Sequence, residues 1–268
     1  RVRIVDATHV SSPGAKGSTW RLHMGLDLGR LQLDHVELTD YRAGESLDRF
    51  DASPGELLVG DRGYAHRDPM IRVAQAGAQF LVRLPWSTVP LKQPNGEDPF
   101  DLFGFLRSIP EASVREAPVL LRGTDGESLG CRLIALRKSA ECAQTARENV
   151  LSEKSRKSRR IDPRTLEAAE YTILLTNADS DALDVHQLLE IYRLRWQIEI
   201  TFKRLKGLLN LDFLAAREPR MVETYILAKI LGALLVEDLS DRYLSFFPWG
   251  FPLRRSSNLD MEAAPTHP

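Results

Sequence analysis

Apolar and polar residues alternate along the first forty positions. RVRIVDA reads as a strand over Val2 to Asp6, and TWRLHMGLDL and RLQLDHVEL repeat the period of two on either side of Gly29-Arg30. Alternation of this kind marks half-buried strands, and a glycine-containing dipeptide between two of them marks a tight antiparallel turn, so a three-strand meander is expected. ESLDRF is a short helical candidate. ELLVGDRGY carries an apolar run, Leu57 to Val59, that stops at Gly60-Asp61, the pattern of a buried strand opening into a polar loop. RDPMIRVAQAGAQ has helical spacing at Met70, Ile71 and Ala74, and Phe80 to Leu84 forms another strand. The order predicted is three strands, helix, strand, helix, strand.

The texture changes from Pro85 to about Ala169, where Pro and Gly are frequent and SVREAPVLLR and LGCRLIALRK read as short strands, so this block is expected to be a strand-rich insertion. Tyr171 to Asn177 is a strand. After a cap at Ser180 or Asp181, the stretch from there to Asn210 reads as one long helix, and a second helix runs from about Met221 to Leu244. Glu223, Lys229, Glu237 and Asp238 make that second helix a core element rather than a membrane span. The expected organisation is therefore a core in two parts, 1–84 and 171–246, an insertion at 85–170, and a loose tail at 247–268.

On a helical wheel with Tyr192 at zero, Arg195, Glu199 and Lys206 fall at about 300°, 340° and 320°, one polar ridge about 60° wide and about 21 Å long. Ile191, Leu194, Ile198, Phe202, Leu205 and Leu209 form an apolar stripe beside it, so the ridge borders the buried side.

Charge changes the picture only locally. With 36 Lys and Arg against 37 Asp and Glu, the 268-residue chain has a net charge of −1, which excludes a uniformly basic nucleic-acid coat. Residues 152–160 and 192–206 each concentrate five basic residues against one acidic. Two cysteines, Cys131 and Cys142, exclude a disulfide framework, and the histidines never take an HExxH spacing. Carboxylates are then the candidate ligands for a metal, and hard cations the candidate metals. The N-terminus does not read as a secretory signal, so a cytoplasmic protein with no membrane partner is expected.

Asp6 lies on the first strand and Asp61 just after the fourth, where a sheet can bring the two together, and a helix packed on that sheet can add Glu199. Three converging carboxylates repel one another unless divalent cations neutralise them. Two Mg²⁺ ions about 4 Å apart are the standard arrangement for phosphodiester chemistry.

YRLRWQIEITFKRLK resembles the Y-x2-R-x3-E-x6-K signature of DDE transposases of bacterial insertion sequences, met without a gap by Tyr192, Arg195, Glu199 and Lys206. GDRGY at 60–64 resembles the loop of that family's second catalytic aspartate, and VDATHV its first-aspartate strand. The resemblance covers roughly residues 1–240. It implies an α/β fold: an RNase H-like mixed sheet with flanking helices and a strand-rich insertion before the glutamate helix. It also implies cleavage and strand transfer at transposon ends that depend on two Mg²⁺ ions or Mn²⁺ in their place, by a nucleoid-associated protein. Asp6, Asp61 and Glu199 would be catalytic and metal-binding, and Tyr192, Arg195 and Lys206 would touch DNA, with a dimer assembled on transposon ends and target DNA. Lys203 and Arg62 adjoin the site as further DNA contacts. His66 reads as a loop histidine, His9 as structural and Tyr64 as a packing residue, while Trp196 could stack on a base or pack. The residues leave two alternatives open: a truncated, non-catalytic DNA-binding remnant, and a plain RNase H-like nuclease.

Overall fold

The computed structural model describes residues 1–11, 19–156, 161–210 and 218–246. The tail at 247–268 and residues 157–160 of the basic stretch at 152–160 lie outside the described residues.

The strands are β1 (Val2–Val10), β2 (Trp20–Asp27), β3 (Gln32–Asp40), β4 (Leu57–Gly60), β5 (Gln79–Arg83), β6 (Leu91–Lys92), β7 (Val114–Arg122), β8 (Ser128–Arg137) and β9 (Tyr171–Thr176). They form one sheet in the order β3-β2-β1-β4-β5-β9-β8-β7-β6. β1, β4 and β5 run parallel, and every other neighbouring pair is antiparallel. The helices are α1 (Arg67–Gln75), α2 (Leu102–Arg107), α3 (Ala140–Arg156), α4 (Pro163–Ala169), α5 (Val185–Arg193), α6 (Trp196–Leu209) and α7 (Pro219–Phe246). The expected mixed α/β sheet with flanking helices is what forms.

Because side chains alternate across a strand, each central strand feeds two cores. Val5, Leu58, Phe80, Val82 and Leu175 join one cluster with Met70 of α1 and Leu106 of α2. Ile4, Leu57, Val59, Leu81 and Leu174 join another with Leu188 of α5, Ile198 of α6 and Val222 of α7. This explains the unbroken apolar runs of β4 and β5: both faces are covered.

The meander forms, with β1 reaching Val10. Its second turn is longer than a two-residue hairpin: Leu31 takes a left-handed φ of 56°, its N–H donates to Asp27 O at 2.7 Å, and the Asp27 carboxylate accepts from Gly29 and Arg30 N–H. ESLDRF supplies a 3₁₀ turn over Leu47–Arg49 capped by Ser46. The 85–170 block holds the expected strands, and β8 extends the main sheet by pairing with β9 from Arg132↔Thr176 to Arg137↔Tyr171. It also holds α2, α3 and α4, which the hydrophobic pattern does not reveal: α2 has six residues, and α3 (AECAQTARENVLSEKSR) shows no apolar stripe.

The single long helix expected from about residue 181 to Asn210 is two. α5 starts later, at a capping box of Asp184 and Gln187, and Leu194 and Arg195 separate it from α6. There the bonding tightens to i−3: Arg195 N–H donates to Tyr192 O at 3.1 Å, Gln197 to Leu194 at 3.0 Å and Ile198 to Arg195 at 3.3 Å. Both sides remain right-handed helix, so periodicity carries no mark of the break. α7 is a core helix on one face only. Val222, Ile226 and Ile230 are buried, whereas Leu231, Leu235, Val236 and Leu239 are exposed. Among the described residues no helix is long and apolar enough to cross a membrane.

β5 meets β9 over three residue pairs, and Asn177 prolongs the contact with its side chain. Its Oδ1 accepts from Phe80 N–H at 2.8 Å and its amide donates to Ala78 O at 3.1 Å. Asn177→Ala removes both partners from part-buried backbone. It should lower stability by about 1–3 kcal/mol, read as a reduced urea midpoint at unchanged slope.

Candidate active site

Register and parity bring the two aspartates together. β1 and β4 pair at Val2↔Leu57, Arg3↔Leu58 and Ile4↔Val59, and two residues further on the strands reach Asp6 and Asp61. Asp61 is still extended (φ −83°, ψ −165°), so it shares the sheet face of Val59, as Asp6 shares that of Ile4. That face belongs to the cluster packed against α5 and α6. The strand of four buried residues holds the backbone, and the chain then turns away at the aspartate.

The turn depends on the glycines of GDRGY. Asp61 Oδ1 accepts from Gly63 N–H at 2.7 Å, capping a 3₁₀ turn over Arg62–Tyr64. A Cβ at Gly63 would run into the Glu45 carboxylate, and one at Gly60 would lie 2.9 Å from Tyr64 Cβ. Glu45 is therefore a third acidic group beside the aspartates, and no spacing or period in the sequence points to it. Burial, then Asp61, raises its pKa, and Arg21 lies 3.9 Å away. Tyr64 packs as expected, fully buried, with its ring centroid 6.1 Å from that of Phe50. Its hydroxyl, however, has no hydrogen-bond partner and feels Asp6, Glu45 and Asp61, which add to burial in raising its pKa.

Asp6 is the most perturbed carboxyl of the group. Burial chiefly, opposed by a 2.8 Å hydrogen bond from Ala7 N–H and assisted by Asp61, pushes it up to about 7. Its countercharge is Arg195, whose Nη1 lies 3.3 Å from Asp6 Oδ2 while Nη2 donates to Glu199 Oε1. Glu199 is thus linked to Asp6 by one guanidinium. Tyr192 adjoins Arg195, Arg83 and Asp61; burial raises its pKa, against the two arginines. Lys206 Nζ donates to His9 O at 3.1 Å, tying α6 to β1. Lys203, Trp196 and Arg62 are exposed, and Arg62 feels Arg83, Tyr192 and Asp61. His66 precedes α1 without a side-chain cap bond, and the exposed His9 ring lies 3.4 Å from Arg21 Nη2.

Among the described residues no three acidic, histidine or cysteine side chains are close enough to form a metal-holding group as they stand. The donor chemistry nonetheless suits a hard cation: carboxylates gathered on one face, one of them pushed up to about 7, around an orphaned buried hydroxyl. Asp6 and Asp61 are near enough to act on one another's charge, and Arg195 joins Asp6 to Glu199.

The raised Asp6 pKa fixes a stability trend. A carboxyl whose folded pKa (about 7) exceeds its ordinary 3.8 stabilises the fold most below the ordinary value, and that contribution is lost as pH rises through about 7. The metal-free protein should melt several degrees lower at about pH 8 than at about pH 5, with a smaller fall in Asp6→Asn, which cannot ionise. Differential scanning fluorimetry of both reads the difference, and equal falls would refute it.

The family model described as the transposase DDE domain matches residues 1–235. The chain is 40% identical over 253 residues to the putative transposase InsL for insertion sequence element IS186A of Escherichia coli K12, covering 92% of this chain and 68% of that protein. The transposase for IS421 of Escherichia coli matches over the same shares. The transposase for IS231F of Bacillus thuringiensis subsp. israelensis is 25% identical over 269 residues, 88% of this chain and 55% of that one. Among solved structures, the piggyBac transposase synaptic complex with hairpin DNA aligns with a TM-score of 0.49 at 10% identity, covering 90% of this chain and 48% of that chain. With a family model spanning most of its length and a relative at 40% identity, the chain belongs to the transposase DDE domain family.

Proposed function

We propose that this chain is the catalytic portion of an insertion-sequence transposase that cuts DNA at the element's ends and joins the freed 3′ ends to target DNA. Asp6, Asp61 and Glu199 act as the metal-binding carboxylates. Tyr192, Arg195 and Lys206 hold DNA phosphates, with Lys203 and Arg62 at the margin. Two Mg²⁺ ions, or Mn²⁺ in their place, would activate the attacking oxygen and stabilise the departing one.

The chain's own residues set the conditions for that chemistry. Burial around Asp6 keeps the carboxylate poorly hydrated, so that its charge seeks a cation rather than water. Arg195 supplies that cation in the free chain, bridging Asp6 and Glu199. Its planar fork also suits two phosphate oxygens, so release of Asp6 and Glu199 to ligand duty frees Arg195 for DNA. Tyr192, beside Arg195 and under the pull of Arg83, offers a hydroxyl donor to the same backbone. The Lys206 bond to His9 O keeps α6 over β1, holding Glu199 near the aspartates. Two copies, each on one transposon end, form the working assembly.

One observation supports the reading most: the β1–β4 register carries Asp6 and Asp61 side by side while one arginine joins Asp6 to Glu199. Purified protein should nick DNA in the presence of Mn²⁺ and join the cut ends to target. Glu199→Gln and Asp61→Asn should each lower the rate by more than the roughly 10- to 100-fold that loss of an outer-shell partner costs. Both should weaken Mn²⁺ binding by calorimetry. Nicking that survives both substitutions would sink the assignment, and nicking without joining would make the chain a nuclease.

A further inference from the structure

Beyond the carboxylates, three cations face one cleft. Arg62, Arg83 and Lys138 line a cavity of about 390 Å³ between the end of β5 and helices α3 and α4, with Asn149 and Thr165 adding polar groups to its wall. Arg83 Nε is buried without a hydrogen-bond partner. Lys138 Nζ donates to Ala169 O at 2.6 Å, and its pKa falls to about 8 under burial first and the charges of Arg83 and Arg62 next. Arg62 in turn feels Arg83 before the opposing Asp61. Among the described residues none of the three makes an ion pair with a carboxylate, although the chain as a whole carries slightly more acid than base.

Converging cations in a part-buried cleft repel one another, and the arrangement is relieved by an anion from outside. Two guanidinium forks and an ammonium offer more donors than a planar carboxylate can accept and match the oxygens of a phosphate. The position of the cleft is equally informative. Arg62 directly follows Asp61, and the charge of Arg83 acts on Tyr192. The cleft shared by Arg62, Arg83 and Lys138 therefore opens beside the turn that carries Asp61.

We infer that the cleft lined by Arg62, Arg83 and Lys138 binds a phosphate group of the DNA strand that runs on from the carboxylate site. This rests on the DNA-processing reading above and extends it to Arg83 and Lys138, which lie outside the transposase signature. The phosphate is either a diester within the strand or a monoester at its 5′ end.

The test uses a fluorescent oligonucleotide with and without a 5′-phosphate, in chelator, read by anisotropy across a salt series. Arg83→Gln and Lys138→Gln should each weaken binding about 10-fold, and each should reduce the salt slope by about 0.7 for a single strand, the signature of one lost phosphate contact. Lys138→Arg should restore both values. Mn²⁺ binding should be unchanged in Lys138→Gln, so a loss of metal binding in Asp61→Asn reports on the catalytic assignment separately. If only the 5′-phosphorylated strand loses affinity, the ligand is the terminal monoester; if both lose it equally, the ligand is a diester. Unchanged affinity and slope in both glutamine variants would overturn the inference. Inorganic phosphate binding that the variants abolish, with no change for either oligonucleotide, would likewise overturn it by assigning the cleft to a free anion.

Discussion

The parallel pairing of β1 with β4 is the constraint on which the rest of the site depends. Its register carries Asp6 and Asp61 to one level of the sheet, and the period of two puts both on the face that α5 and α6 cover. A slip of one residue in either strand would send its aspartate to the opposite face, among Val5, Leu58 and Phe80, where an unpaired charge is costly. That register is secured by burial on both faces. Ile4, Val5, Leu57, Leu58 and Val59 are each at most 3% exposed, so no alternative pairing hides as much apolar surface.

Placing carboxylates at such a position creates an electrostatic problem that the fold answers in two ways. Asp6 resists ionisation, and Arg195 reaches it from the junction between α5 and α6. Arg195 sits where the bonding tightens, at the start of α6, and there its guanidinium holds Asp6 across the fold and Glu199 one turn along its own helix. Glu45 and the unpartnered Tyr64 hydroxyl also neighbour the aspartates, so the polar surroundings extend past Asp6, Asp61 and Glu199.

The positive charge follows the same geography. A nearly neutral chain concentrates cations along the path from Arg195 to Lys138, contributed by the α5–α6 junction, the turn after β4, the end of β5 and the end of β8. Their convergence comes from sheet order, since β5 is flanked by β4 and by β9, and β9 by β8.

Local pattern alone determined the elements whose signal is local: the alternating strands, the buried runs of β4 and β5, the helical character of the stretch after Tyr171–Thr176 though not its division in two, and the spacing of Tyr192, Arg195, Glu199 and Lys206. Hydrophobic period and motif spacing are properties of neighbouring residues, which is why they survive without coordinates. Tertiary structure decided the junction at Leu194 and Arg195, the exposed second face of α7, the polar helix α3, the place of Glu45 beside Asp61, and the meeting of Arg62, Arg83 and Lys138. Each of these depends on what packs against a segment or on which strands become neighbours across dozens of residues, and no window of sequence contains that information.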